Sequence, residues 1–72
     1  MMREKLLEAQ KLWALGNMRR HEANVENLLN NPMGIGEHPD LSETISEEIK
    51  KVAEYVDILE VIEDLIERTE NN

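Results

Sequence analysis

The sequence predicts an all-α fold, an antiparallel two-helix hairpin that assembles into a homo-oligomeric helical bundle. Three observations carry that expectation. Residues 2–30 and 41–69 contain no proline and, Gly16 apart, no glycine. Both prolines and the other two glycines fall in the stretch between them, "NPMGIGEHPD", residues 31–40, so that stretch is a turn-rich connection. The last turns of the second segment also carry more apolar residues than one buried stripe requires.

The first helix is expected over about residues 2–30. Indexed at 100° per residue, its apolar stripe is Leu7, Ala14, Met18, Val25, Leu28 and Leu29. The stripe keeps one phase through Gly16, which favours a continuous helix. The rival is a shorter helix ending at Gly16–Asn17, with the glycine as a left-handed C-cap. Pro32 cannot continue the helix and biases Asn31 away from helical geometry. In the loop, Gly34 and Gly36 permit a tight reversal, and Met33 and Ile35 are expected to cap the hairpin core. Asp40 and Glu43 have the spacing of a capping box, with Ser42 as the rival N-cap.

The second helix is expected over about residues 41–69. Its main stripe reads Leu41, Ile45, Ile49, Val52, Val56, Leu59 and Ile66, and Ile58, Val61, Ile62 and Leu65 form a second. Two helices of about 29 residues span roughly 43 Å each. Helices of equal length on a short link fold back on one another.

A single domain of 72 residues without cysteine buries a thin core and has no disulfide or thiolate metal site to reinforce it. The doubled stripe therefore points to another copy of the chain. The expected contact lies at the end away from the loop. It comprises Leu6, Leu12 and Trp13 on helix one and Ile58, Val61, Ile62 and Leu65 on helix two, in a dimer that forms a four-helix bundle.

The formal charge is −8. Residues 1–36 contribute +1 and residues 37–72 contribute −9. A chain this acidic does not suit duplex nucleic acid, where affinity comes from neutralising phosphates. No apolar run approaches the roughly 18 residues of a membrane span. The charged N-terminus lacks a signal-peptide core, and the expected location is the cytoplasm.

Beside the apolar stripe of helix one runs a polar seam. Gln10, Asn17, Asn24 and Asn31 repeat every seven residues, His21 falls inside the stripe, and Trp13 and Arg20 flank the amides. Two readings follow. In one, polar residues at core positions set register and oligomeric state at a cost in stability. In the other, Trp13, Asn17, Arg20, His21 and Asn24 form a ligand patch. Amides supply donors and acceptors, Arg20 grips an anion and Trp13 offers a stacking surface, which suits a small nucleotide-like molecule held where subunits meet.

Other chemistry has little support. Glu37, His38 and Asp40 are too few for a metal site, and no cofactor is expected. "GIGEHPD" lacks the glycine pattern of a phosphate loop. There is no cysteine, no nucleophile elbow and no Glu-x-x-His pair, so no catalytic residue is assigned. The glutamates of helix two, Glu43, Glu47, Glu54 and Asp64 among its acids, read as a solvated face.

The run W-x-L-G-N-x-x-R-H-x-x-N-V-E-x-L-L-N-N-P-x-G-I-G-E-H-P-D, residues 13–40, resembles small helical-hairpin accessory proteins of tailed phages, marine ones included. The likeness is one of overall pattern and carries over no site residue. It implies an accessory protein working in a bacterial host cytoplasm. By analogy it places sequestration of a host nucleotide signal among the functions to consider.

Overall fold

A computed structural model of the chain describes residues 1–30 and 41–71. Two helices make up the fold, α1 over Met2–Asn30 and α2 over Leu41–Glu70. The expectations placed on Asn31, Pro32, Met33, Gly34, Ile35, Gly36, Glu37, His38 and Asp40 lie outside the described residues.

Helix α1 runs unbroken through Gly16, and no described residue has a positive φ. The left-handed cap at Gly16–Asn17 is therefore not formed. One glycine costs a helix about 1 kcal/mol relative to alanine, and the apolar face on either side of it is packed. Helix α2 carries Glu43 in its first turn and Arg68 in its last, each the sign that the helix dipole favours. Arg68 is also tied to Asp64 one turn back, at 2.8 Å.

The two helices pack against each other as an antiparallel hairpin. Contacts run in reverse order along α2: Arg3 with Thr69, Trp13 with Tyr55, His21 with Glu48. The inward positions alternate by three and four residues on both helices. On α1 they are Leu7, Lys11, Ala14, Met18, His21, Val25 and Leu28, and on α2 Leu41, Ile45, Glu48, Val52, Tyr55, Leu59, Ile62, Ile66 and Thr69. All are buried or half-buried. This is the period-3.5 seam of a coiled coil.

The seam differs from the stripe read at 100° per residue. Ile49 and Val56, assigned to the main stripe of α2, are exposed, and so is Leu29 on α1. Their places in the seam belong to Glu48 and Tyr55. Over several turns a 3.6-residue index drifts away from a 3.5-residue contact. An index that follows apolar residues alone also passes over an inward glutamate.

The buried core is small. Among the described apolar residues only Ala14 and Ile62 are buried, and both lie on the seam. Ile62, expected in a contact between copies, is thus part of the hairpin's own interior, whereas Leu6, Leu12, Trp13 and Val61 stay exposed. Ile58 and Leu65 are half-buried. The hairpin is a rod of 54 × 15 × 14 Å with a radius of gyration of 16.3 Å. A compact chain of this length has a radius near 11 Å. Its accessible surface, 5660 Å², exceeds by roughly 1,000 Å² what a folded monomer of this mass ordinarily leaves exposed.

Gly16 provides a direct test of this helix. A Cβ built there meets nothing within 4 Å, so alanine gains helix propensity without a clash. Gly16→Ala is expected to stabilise the protein by about 1 kcal/mol, which raises the melting temperature by roughly 4–8 °C for a chain of this size. An unchanged or lower melting temperature would show that α1 does not pass through this residue as a regular helix.

Candidate functional site

The polar residues of α1 gather around the middle of the seam. His21 occupies an inward position in line with Ala14 and Leu28, seven residues to either side, and is only 9% exposed. An imidazole that deep needs partners for its nitrogens. Its Nδ1 lies 2.5 Å from Glu48 Oε2, across the seam on α2. Its Nε2 faces Nη2 of Arg20 at 3.4 Å, a long contact. A guanidinium has no acceptor. In the neutral ring, Nε2 therefore presents its lone pair to Arg20, and Nδ1 carries the proton donated to Glu48.

Tyr55 closes the other flank of the imidazole. The two rings are nearly parallel, 10° apart with centroids at 5.9 Å. Trp13 meets the same tyrosine edge-on, at 5.5 Å and 76°. Both separations lie in the range where ring pairs add to simple area burial. Trp13 stays 50% exposed.

Glu48 is the electrostatic centre. The hydrogen bond from His21 holds its carboxyl below the ordinary glutamate value; burial pushes the other way, and the hydrogen bond from Asn24 and the charges of His21 and Arg20 lower it further. Asn17 behaves differently. Its amide donates to the carbonyl of Trp13 one turn back on the same helix, at 2.9 Å. Arg19 pairs locally with Glu22 at 3.0 Å. Among the described residues no buried side-chain nitrogen or oxygen lacks a partner.

Of the five residues expected to form a patch, four are therefore assembled through α2. Trp13 and His21 meet on Tyr55, His21 and Asn24 bear on Glu48, and Arg20 faces His21 and adds its charge near the carboxylate. Asn17 is engaged within its own helix. Sequence reasoning centred on α1 missed Glu48 and Tyr55. Their spacing becomes readable only once the inward row is fixed by packing. Each lies seven residues from the next inward position of the same row, and Tyr55 is followed by Ile62 at the same interval. An inward histidine on one arm of a hairpin also asks for an acid at the mirrored distance from the turn.

Chemically, a carboxylate oriented on an imidazole is half of a general-base arrangement. The working end of such a base is Nε2, and here Arg20 faces it. Among the described residues no group of three or more histidines and carboxylates is placed to hold a metal ion, and no helix is long and apolar enough to cross a membrane. Two of the shallow hollows along the seam lie near this site. One is lined by Asn24, Asn27, Leu28, Thr44 and Glu48, the other by Glu22, Val25, Glu26, Ile49 and Val52. Carboxylates stand at both. No protein-family model, curated protein or solved structure matches the chain.

The lowered proton affinity of Glu48 gives a signed pH dependence. Folded Glu48 keeps its charge to a lower pH than unfolded Glu48, whose ordinary value is 4.5. Its contribution is present in full above that value and is lost as the pH falls through the lower folded value. Urea unfolding of the unmodified chain is expected to lose more stability between about pH 7 and about pH 3 than unfolding of Glu48→Gln. Equal losses in the two proteins would show that the His21–Glu48 contact does not bias this proton.

Proposed function

We propose that the chain is a non-enzymatic, self-assembling interaction module. In this reading the polar seam sets the register of the hairpin, and its exposed apolar residues dock another copy. One observation carries the proposal. The hairpin's polar groups are satisfied internally around Glu48, while Leu6, Trp13 and Val61 are left in water on a rod with an excess of surface. Groups engaged within one chain serve its own geometry, and exposed large apolar residues serve contacts still to be made. The proposal includes a homo-oligomeric bundle, with a dimer as its smallest form.

The second reading is a ligand-binding bundle that captures a small anionic, nucleotide-like molecule, the role of a phage accessory protein in its host's cytoplasm. The exposed Arg20 and the half-exposed Trp13 favour it. Glu48, between the other seam residues, opposes it, because a carboxylate repels an anion. A thermal-shift screen with mono-, di- and cyclic nucleotides separates the two. Binding raises the melting temperature by mass action, and the interaction-module reading expects no change.

Self-assembly has its own measurement. Sedimentation at micromolar concentration should give at least twice the 8.4 kDa mass of one chain. Val61→Asp should lower both the mass and the melting temperature. Val61 is 59% exposed in the single hairpin, so an aspartate there has little to disturb unless a second copy covers it. An unmodified protein sedimenting as one chain would contradict the proposal.

A further inference from the structure

The rod has two long sides, back to back across the seam, and they are unlike. The hollow lined by Glu22, Val25, Glu26, Ile49 and Val52 opens on one of them. Glu8 and Glu70 line a second hollow toward the chain ends, with Leu7 and Ile66. It opens on the same side, since Glu8 shares a seven-residue row with Glu22, and Glu70 shares one with Ile49. The hollow of Asn24, Asn27 and Thr44 opens on the other side.

The two sides differ in charge. On the first, the rows of α1 carry Glu8, Glu22 and Glu26 against Lys5 and Arg19. The rows of α2 there carry Glu60, Glu63, Glu67 and Glu70 and no base, so the side has a formal charge of −5. On the second, α1 carries Arg3 and Arg20, and α2 carries Lys51 and Arg68 against Glu47 and Glu54, which gives +2. Gln10, Asn17, Asn24 and Asn27, the other polar residues of α1 on that side, are neutral. In apolar exposure the sides are alike. Leu12, Leu29, Ile49 and Val56 are 41–61% exposed on the acidic side, and Leu6, Trp13 and Val61 are 50–59% exposed on the other.

Resting on the self-assembling reading, we infer that copies of the chain associate side to side, the acidic long side of one against the cationic long side of the next. A closed pair about a twofold axis sets a side against itself. It covers one apolar set and leaves the other in water. On the acidic side it also opposes like charge to like, and a tetramer built on twofold contacts through both sides inherits that repulsion. Contact between unlike sides opposes charges of different sign and, once repeated, covers both apolar sets. Each added copy then leaves one side of each kind free. Because those sides lie back to back, the assembly grows as an open row and does not stop at two chains.

Blocking one side at a time tests this. Val56→Asp blocks the acidic side and Val61→Asp the other. Both valines are exposed in the single hairpin, so neither aspartate is buried by the chain's own fold. Each variant and an equimolar mixture of the two are followed by sedimentation, with circular dichroism recording helix. The mass of the unmodified protein is expected to pass two chains as its concentration rises, and to fall as salt is raised from about 0.05 M to about 0.5 M. Each variant alone is expected to sediment as one chain, helical or not. The mixture is expected to give a helical one-to-one dimer that grows no further, because only one acidic and one cationic side remain open. A variant that still pairs with itself overturns the inference and leaves self-assembly standing. So does an unmodified protein that stops at two chains, or a mixture that stays as single chains while the unmodified protein assembles. An unmodified protein that sediments as one chain throughout overturns both readings.

Discussion

The contact between His21 Nδ1 and Glu48 Oε2, 2.5 Å across the seam, is the constraint on which the hairpin's arrangement depends. Two long helices with apolar stripes slide past one another at modest cost, because one leucine resembles the next. A buried imidazole and an inward carboxylate do not share that indifference. A slip of one heptad would leave His21 opposite Leu41 or Tyr55 and Glu48 opposite Ala14 or Leu28. Each group would lose its partner, and an unpaired buried polar group costs about 1–3 kcal/mol. In the observed register both are satisfied. Asn24 and the charge of Arg20 further favour the carboxylate, and the Tyr55 ring lies nearly parallel to the imidazole.

The same arrangement explains the division between interior and surface. Polar inward positions take up places where leucine or isoleucine would have built a core, so the hairpin encloses very few apolar side chains. What the seam does not bury remains outside, at Leu6, Trp13, Ile49, Val56 and Val61. A rod this thin specifies its register well and shields its apolar surface poorly. Its internal geometry can be correct before assembly, while most of its stability is expected to come from assembly. The function proposed here follows from that separation. In that proposal the seam provides specificity within the chain, and the exposed apolar residues are what a second copy would cover.

Much of the fold was legible in the sequence. The absence of proline outside residues 31–40 and the matched helix lengths indicate a hairpin, and the steady phase of Leu7, Ala14, Met18 and Val25 through Gly16 indicates an unbroken first helix. His21 was also legible as an inward residue. Its partner was not, because Glu48 lies on a helix rich in solvated glutamates, where charge alone does not distinguish the one that turns inward. Tyr55 was missed because Ile49 and Val56 draw the eye to a neighbouring strip. Only packing against α1 selects the 3.5-residue row that contains Glu48 and Tyr55. Asn17 shows a further limit. An amide in a helix can bond its own backbone, and nothing in the sequence separates that use from a role in recognition.

The claim that the His21–Glu48 pair sets the register is tested most directly by a double-mutant cycle between His21→Leu and Glu48→Leu, read by urea unfolding at fixed protein concentration. The account predicts that each single change lowers stability by about 1–3 kcal/mol, since it leaves one inward polar group without its partner. It predicts that the double change recovers most of that loss or exceeds the original stability, because leucines at both places restore an apolar seam. Losses that simply add in the double variant would show that the two residues act independently, and would contradict the account.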